Sequence, residues 1–428
     1  MGIVTAATTT ADAGVKRRAT AEERRARISG WVLIALAAFV VWAFALNVDP
    51  DLDATFRLAL PTDRFTDIDW IVNTRMLGVV AAAILAFLGG RQLSTTNFKW
   101  TNVSIAVAMA LFTLAFLGWA AAGQSFSLVG MLRSSVLLSV PVTLGALCGL
   151  MGERVAVINI GIEGQLLTAS FVAVILGSAF NIWIALAGAI LVGGLLGWVL
   201  AVLAIKYLVD QIIAGVAINI FALGLTSFLA SRVLAESQDL NSPGRITAHA
   251  IPFLSDIPLL GPMFFDHSMF VYGMFILVLL VHLGLFYTRW GLRSRAVGEH
   301  PKAADTVGVN VFRTRYLNVI LGGFIAGFGG AFLTLSQVGR FEENLTAGVG
   351  FIGLAAMIFG RWKPFGALAA GLVFGFARAM QTKLGLLGIP VPSEFLLMVP
   401  YIVTIVVVAG LVGQARPPAA DGQPYIKQ

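Results

Sequence analysis

The sequence predicts an all-α fold: a polytopic transmembrane helical bundle with a core of about ten helices and two extra amino-terminal helices. Hydrophobic residues make up 58% of the 428 residues and charged residues only 12%, whereas a soluble chain carries about a quarter charged residues. The mean hydropathy is +0.87. Apolar runs of about 20 residues, enough for a helix to cross a bilayer, recur along the chain, and the period-two alternation of membrane strands does not.

About twelve apolar stretches meet the length expected of a membrane span. They cover residues 29–48, 70–90, 103–123, 128–150, 160–180, 183–207, 212–234, 269–287, 316–338, 348–360, 366–385 and 395–412. The tenth stretch is short, so it is predicted either as a broken span or as a re-entrant helix.

The predicted organisation follows from these spans and from the polar segments between them. A basic cytoplasmic tail (1–28) precedes the additional amino-terminal transmembrane helices (29–125). The core (126–414) contains a polar segment (291–315), and a cytoplasmic carboxyl-terminal tail (415–428) follows it. The end of that tail, rich in proline and polar residues, is predicted to be disordered.

The basic residues favour a membrane orientation rather than a nucleic-acid partner. The formal net charge is +7, but Lys and Arg are dispersed through short loops without stacking aromatic residues. Placing both termini in the cytoplasm puts about twenty Lys and Arg residues inside and about five outside, as the positive-inside rule requires. The prediction is a multi-pass protein of the bacterial plasma (inner) membrane.

An enzymatic role is disfavoured by the motifs. The chain has no G-x-x-x-x-G-K-[ST] loop to hold ATP phosphates, and its four His residues are scattered. The single Cys148 lies in an apolar stretch, so it is interpreted as a packing residue. No metal-ligand spacing is found.

The polar segment 291–315 is interpreted as a docking surface on the inner face of the membrane. Arg295 and Glu299 are four residues apart and share a helix face. Because proline is tolerated near a helix start, a short helix is expected over 301–307, with Lys302 and Asp305 exposed. The alternative is a solvated charged loop.

A second polar interruption covers residues 155–165. A polar break at membrane depth is tolerated where it is buried in protein or lines a wet cavity. Glu163 is therefore expected to pair with a cation, with Arg154 as one candidate, or to lie at an interface. A helix-breaking elbow and direct contact with a solute are equally compatible with the pattern.

Polar residues within other spans are candidates to line a path. Asn219 and Gln337 are the leading ones, and hydrogen bonding between helices is the alternative for each. Glycine clusters at 193–197 and 322–330 have the small-xxx-small spacing that lets helix backbones approach closely.

Three segments carry a resemblance to a known family. They are GERVAVINIGIEGQ at 152–165, RAVGEHPKAADTVGV at 295–309 and FEENLTAGVGFIGLAAMIFG at 341–360. In this order they resemble ABC importer permeases of the nucleoside and simple-sugar branch, within the superfamily of branched-chain-amino-acid and ribose-type translocators. The resemblance covers roughly 129–412. One departure is Ala156, where members often carry Gly, and the extra amino-terminal spans have no assigned role.

The resemblance implies a transmembrane permease subunit of an ATP-driven importer, with nucleosides as the first candidate cargo. It implies partners: cytoplasmic ATPase subunits that bind the ATP, a second permease subunit (paralogue or copy) and an extracytoplasmic substrate-binding lipoprotein. No cofactor is expected in this chain. The implied ATPase-coupling residues are Arg295, Gly298, Glu299, Pro301, Lys302, Ala304, Asp305 and Gly308. The candidates for the translocation path are Asn159, Glu163, Asn219, Gln337 and Asn344.

Three alternatives remain open from the sequence. The cargo can be ribose or another simple sugar. A secondary transporter driven by an ion gradient would need buried acidic residues within spans, for which Glu163 is the one plausible candidate. A membrane-embedded enzyme or an assembly scaffold would need catalytic clusters or independence from ATPase partners.

Overall fold

A computed structural model describes residues 21–59, 69–94, 100–387, 398 and 416–427. The predicted twelfth span, 395–412, and most of the predicted basic tail lie outside the described residues. Thirteen α-helices are formed in the described part of the chain. They are α1 (Ala21–Val40), α2 (Thr74–Ser94), α3 (Thr101–Ala120), α4 (Leu128–Glu153), α5 (Ile162–Ala179), α6 (Ile182–Ala201), α7 (Gln211–Leu229), α8 (Met269–Tyr287), α9 (Arg289–Glu299), α10 (Pro301–Thr306), α11 (Val311–Phe332), α12 (Val349–Phe359) and α13 (Pro364–Leu386).

Several helices end in, or are preceded by, π-helical turns. These turns cover Val41–Leu46, Val202–Lys206, Ala230–Leu234, Gly261–Phe265 and Leu333–Val338. The described residues also form a short 3-10 helix (Gln238–Asn241) and five short strands: β1 (Asp53–Arg57), β2 (Asp69–Asn73), β3 (Ser125–Ser127), β4 (His249–Ala250) and β5 (Asp266–His267). Strands β1 and β3 pair in parallel, with Phe56 opposite Phe126, and β4 pairs antiparallel with β5.

Nine helices in the described residues are long and apolar enough to cross a membrane, judged by length and composition. This confirms the predicted polytopic helical bundle. The chain divides into two compact units, the first containing residues 1–54 and 71–124 and the second containing 55–70 and 125–428. The first unit holds three helices, α1 to α3, one more than the two extra helices predicted from the sequence.

Helix α4 is the centre of the second unit. It packs against α8, α11, α12 and α13, while α5 packs against α6, α7 and α11. Side chains of α4 such as Leu144 and Leu147 are fully buried. A helix of 26 residues is about 39 Å long, so α4 is long enough to span the bilayer and to hold both ends of the bundle.

The glycine clusters place α6 and α11 in direct backbone contact. A β-carbon on Gly193 would lie 2.6 Å from the Cα atom of Gly327, and one on Gly323 would lie 3.0 Å from the Cα atom of Gly194. Such distances exclude any side chain. The predicted role of these clusters in close helix packing is therefore confirmed, and the packing lies within one subunit.

The tenth predicted span is a half-length helix. Helix α12 has 11 residues and is about 16 Å long, roughly half of a 30 Å hydrocarbon core. It runs beside the second half of α4: Gly353 lies against Gly145, and Met357 lies against Gly149. Its carboxyl end turns sharply through Trp362, which has a positive φ of 52°. The helix thus begins within the bundle and ends beside the end of α4.

Candidate functional site

The first candidate site is the elbow, residues 154–161, which joins α4 to α5. After α4 ends at Glu153 the chain turns back, and the Val157 amide donates to the Gly152 carbonyl at 3.0 Å. The turn requires Ala156 to adopt a φ of +62°. This left-handed conformation costs a residue with a Cβ about 1–2 kcal/mol and costs glycine little. The strained residue is the position at which this segment departs from the motif it resembles, whose members often carry Gly.

One face of α7 holds the elbow in place. Gln211 Oε1 accepts from the Ile158 amide at 2.7 Å. Asn219 Nδ2 donates to the Ile160 carbonyl at 2.9 Å, and its Oδ1 accepts from the Gly164 amide at 2.8 Å. These two side chains are eight residues apart on one helix and therefore share a face. They satisfy backbone groups that an irregular, largely buried segment would otherwise leave without partners.

Glu163 joins the elbow to α12. Its two carboxylate oxygens accept from the amides of Gly348 at 2.7 Å and Gly350 at 2.6 Å, at the start of that helix. A carboxylate at a helix amino terminus is stabilised by free N–H groups and by the helix dipole. The sequence-based proposal of Arg154 as its partner is wrong, because the Arg154 guanidinium donates instead to the Trp362 carbonyl, with Nε at 3.0 Å.

Asn159, within the elbow, belongs to a buried polar cluster with Cys148 of α4 and Gln165 of α5. Its Nδ2 donates to Gln165 Oε1 at 3.3 Å and to Cys148 Sγ at 3.3 Å. The Asn159 Oδ1 and Gln165 Nε2 atoms are buried without a hydrogen-bond partner. Cys148 is therefore a buried packing residue that also accepts a weak hydrogen bond.

The structure brings three of the five path candidates together. Asn159, Glu163 and Asn219 meet at the elbow, where each makes hydrogen bonds within the protein. Asn344 is exposed in the turn before α12, with a φ of +55°. Gln337 lies elsewhere, at the end of the π-helical turn after α11, where its backbone carbonyl accepts from Arg245 at 2.6 Å.

A cavity lies near the opposite end of α4 from the elbow. Its volume is about 540 Å³, and its polar lining includes Arg133, Arg245, His267 and Ser336. Arg133 forms an ion pair with Asp266 at 2.7 Å. Burial lowers the pKa of His267 below its ordinary value, which favours the neutral imidazole. The cavity is wide enough for a small polar solute.

The second candidate site is the coupling segment, residues 288–310, which contains α9 and α10 between α8 and α11. Thr288 Oγ1 caps α9 by accepting from the Gly291 amide at 3.1 Å, and His300 Nδ1 caps α10 by accepting from the Ala303 amide at 3.3 Å. Pro301 is the first residue of α10. Gly308, with a φ of +84°, ends the turn after α10.

The predicted short helix is confirmed, with α10 running from Pro301 to Thr306. Lys302 is exposed as expected, whereas Asp305 is partly covered and pairs with Lys427 at 3.6 Å. Ala304 is buried beneath the helix. The apolar side chain of Val307 is 79% exposed directly after α10. An exposed apolar side chain among polar ones fits a surface that binds another protein.

The end of α9 rests on the residue that follows α4. Gly298 is buried, and a β-carbon there would collide with the Arg154 carbonyl. The guanidinium groups of Arg154 and Arg295 lie 5.5 Å and 5.1 Å from the ring centre of Phe286. Burial first, and then the charge of Arg295, lower the pKa of Arg154, and the carboxylate of Glu299 opposes the shift. Glu299 therefore offsets the repulsion between two neighbouring arginines.

The described part of the tail is packed rather than disordered, contrary to the sequence-based prediction. Residues 416–427 lie against α9, where the Ala420 amide donates to the Gly298 carbonyl at 3.0 Å. The prediction failed because it considered composition alone. The groups that hold the tail belong to segments more than a hundred residues away.

Several residues of these sites were not identified from the sequence. Trp362 Nε1 donates to Glu153 Oε2 at 2.5 Å, which joins the end of α12 to the end of α4. Gln211 was also missed, although its spacing from Asn219 carried a signal. Arg315 had no such signal, because its partner is a backbone carbonyl in the tail.

Comparison with known proteins follows this geometry. The family described as "Branched-chain amino acid transport system / permease component" matches residues 130–408. The chain is 39% identical over 307 residues to the guanosine ABC transporter permease protein NupQ of Bacillus subtilis, covering 69% of this chain and 95% of the relative. It is 36% identical over 302 residues to the nucleoside ABC transporter permease protein NupC of Lactococcus lactis, covering 68% and 95%.

A second guanosine ABC transporter permease protein of Bacillus subtilis, NupP, is 30% identical over 269 residues, covering 59% of this chain and 72% of the relative. No solved structure matches the chain. The family match covers the elbow, α12 and the coupling segment, which are the elements that the three resembling motifs form. The chain belongs to the permease component family of branched-chain amino acid transport systems.

Proposed function

We propose that this chain is the transmembrane permease subunit of an ATP-driven ABC importer for nucleosides. The observation that carries the proposal is the similarity to NupQ and NupC, which extends over 95% of each relative. The names of both relatives describe transport of nucleosides. In this role the chain forms the solute path and passes the movement of its ATPase partners to that path. The ATP is bound and hydrolysed by those partners.

The geometry supports a mechanical link between the coupling segment and the elbow. Gly298 of α9 rests on the Arg154 carbonyl at the start of the elbow. At the other end of the elbow, Glu163 holds the start of α12 through two backbone amides. A displacement of α9 is therefore transmitted through packed backbone to the starts of α5 and α12. Broken helices of this kind surround the solute path in many transporters.

The proposed assembly has the coupling segment in the cytoplasm of a bacterial cell, facing two ATPase subunits. The cavity at the opposite end of α4 then faces outward, towards a substrate-binding lipoprotein, and both termini are cytoplasmic. The second permease is a paralogue or another copy of this chain. The similarity to both NupQ and NupP, two permeases named for guanosine in one organism, favours a paralogue.

The two other transport hypotheses receive less support. An ion-coupled transporter would use Glu163 to bind the ion, but both oxygens of that carboxylate are engaged by amides of α12. A carboxylate held in this way acts as a helix cap. A permease for ribose or another simple sugar fits the same fold, so the choice of cargo is decided by transport measurements.

The test is uptake by proteoliposomes that contain this chain with its ATPase, second permease and binding protein. We expect ATP-dependent uptake of labelled guanosine or another nucleoside, unaffected by an ionophore. Uptake of ribose alone would contradict the proposed cargo. Uptake that persists without ATP and collapses with an ionophore would contradict the whole proposal.

The docking role is tested separately by cross-linking. A Lys302→Cys variant carries an exposed thiol on α10, and the native Cys148 is buried and out of reach. We expect a cross-link to the ATPase subunit. The matched control is Phe253→Cys, since Phe253 is 88% exposed on the loop between α7 and α8. A cross-link from the control, with none from Lys302→Cys, would show that the ATPase subunit does not bind at α10 and would contradict the docking role.

A further inference from the structure

The tail, residues 416–427, contacts five separate parts of the second unit: α9, α10, α11, α4 and the elbow. Its backbone meets α9: the Ala420 amide donates to the Gly298 carbonyl at 3.0 Å, and the Ala419 amide donates to Glu299 Oε2 at 3.2 Å. Near its end, Lys427 pairs with Asp305 of α10 at 3.6 Å. The ion pair is exposed and contributes little by itself. The two backbone contacts fix the tail along the end of α9.

The middle and end of the tail are anchored on α11. The Arg315 guanidinium donates from both terminal nitrogens to the Gln423 carbonyl at 3.3 Å. Tyr425 is only 5% exposed; its ring centre lies 5.4 Å from that of Phe312 and 5.9 Å from the Arg315 guanidinium carbon. Arg315 itself is 1% exposed. A buried guanidinium is costly unless it is paired, so the tail supplies part of what makes the position of Arg315 tolerable.

The tail also reaches α4 and the elbow. The Asp421 carboxyl group meets that of Glu153 at the end of α4, and Glu153 in turn accepts from Trp362 after α12. Burial raises the pKa of Asp421 to about 6, while contacts with Glu153, Gly422 and Arg315 act in the opposite direction. Gly422 packs on Ile158 of the elbow and has a φ of +71°. A side chain at Gly422 would therefore be strained, and the Ile158 side chain would have to shift to make room for its β-carbon.

We propose that residues 416–427 form a strap that fixes α9 and α10 to the ends of α4 and α11, so that a push on the coupling segment moves the elbow. The inference rests on the proposed function for the direction of the push, but the strap itself is a positioning element. The tail contacts α9 on one side of His300 and α10 on the other.

The need for a strap follows from the construction of the coupling segment. Helices α9 and α10 have 11 and 6 residues and meet at His300, which lies outside both helices. Short helices of this kind have little stability of their own. A joint at His300 would absorb a displacement of α10 unless the two helices were held together. The tail crosses that joint, with Glu299 on one side and Asp305 on the other.

The first measurement needs no transport. A spin label on Lys302→Cys reports the mobility of α10 in the purified permease. We expect Gly422→Val, which puts a β-branched residue at a φ of +71°, and Tyr425→Ala, which removes the anchor of the tail on α11, to make the label more mobile. Ile426→Ala is the matched control, because Ile426 is 64% exposed beside Tyr425. An unchanged label in both Gly422→Val and Tyr425→Ala would overturn the strap.

The second measurement is uptake per ATP hydrolysed in the reconstituted transporter. We expect Gly422→Val and Tyr425→Ala to lower this ratio at least tenfold while the ATPase subunits still co-purify, with Ile426→Ala unchanged. A ratio within twofold of the unaltered chain would overturn the proposal. Loss of ATPase co-purification would also overturn it, since the tail would then be a docking site. If the unaltered chain imports nothing, the proposed function fails, and the mobility of α10 still decides the strap.

Discussion

The elbow and the coupling segment are two polar interruptions of an apolar sequence, and they use their polar groups in opposite ways. In the elbow, backbone amides and carbonyls form hydrogen bonds with the side chains of Gln211 and Asn219. Directly after the elbow, the carboxylate of Glu163 accepts from amides at the start of α12. In the coupling segment, Lys302 and Val307 point into solvent. The backbone groups of the elbow find partners within the chain, whereas the coupling segment presents exposed side chains.

This difference teaches that composition alone does not separate a structural break from a binding surface. A buried amide out of reach of water is costly unless it is paired, so the elbow needs partners inside the protein. At the surface, water satisfies the same groups at no cost, and exposed side chains are available for recognition. Changes at the elbow should therefore act on stability, and changes at the coupling segment on coupling.

The largest effect on stability is expected from Glu163→Ala. The Gly348 and Gly350 amides would lose their acceptor, and each buried group left without a partner costs about 1–3 kcal/mol. We expect a strongly reduced yield and a lower midpoint of thermal unfolding in detergent. Glu343→Ala removes an exposed carboxylate nearby and serves as control. Equal stability of the two variants would show that the elbow does not depend on this cap.

The largest effect on coupling is expected from Val307→Asp. The substitution puts a charge at the centre of the proposed docking surface, so we expect uptake to fall at least tenfold, about 1.4 kcal/mol. The unfolding midpoint should stay within about a degree, because surface changes away from special features rarely exceed 0.5 kcal/mol. Leu292→Asp, also on an exposed apolar residue of this segment, maps how far the surface extends. A destabilised Val307→Asp with normal uptake would reverse the comparison.

A smaller effect is expected from pH on the tail. Because burial raises the pKa of Asp421 to about 6, packing of the tail against the bundle favours the protonated acid. The contribution of Asp421 to this packing is therefore fully present below its ordinary pKa, near 4, and is lost as pH rises through about 6. Glu153 and Arg315 face the same carboxyl group, and both lower its pKa, against the effect of burial.

The measurement is the mobility of a spin label on an exposed tail position, Gln423→Cys, between pH 4.5 and 7.5, a range that brackets the shifted value. We expect the label to become more mobile as pH rises and the Asp421→Asn variant to lose this dependence. A pH profile that survives in Asp421→Asn would assign the titration to another group.

The smallest effect is expected from Ala156→Gly. Relief of the left-handed strain at a φ of +62° is offset in part by the greater backbone entropy of glycine in the unfolded chain, so we expect a gain of about 1 kcal/mol or less. A modest rise in the unfolding midpoint, with unchanged uptake, is the expected result. A fall in stability would mean that packing of the Ala156 methyl group outweighs the strain.

The sequence predicted much of the fold, and its failures are local. Apolar runs of membrane length predicted the spans, and the position of Pro301 predicted α10, because both signals depend on neighbouring residues. The same reasoning offered Arg154 as a candidate partner of Glu163 and predicted a disordered tail. Both errors concern partners that are far away in the chain: Gly348 and Gly350 for Glu163, and Gly298 and Arg315 for the tail.

The sequence alone determined that this protein is a bundle of membrane helices with a polar segment that can bind a partner. It could do so because hydropathy and helix capping are local properties. Only the tertiary structure decided that α12 is a half-length helix capped by a carboxylate of α5, and that the tail binds the coupling segment. Those contacts join residues more than a hundred positions apart. These contacts are fixed because a buried polar group is costly unless it is hydrogen-bonded, and no local pattern records a partner that lies far away in the chain.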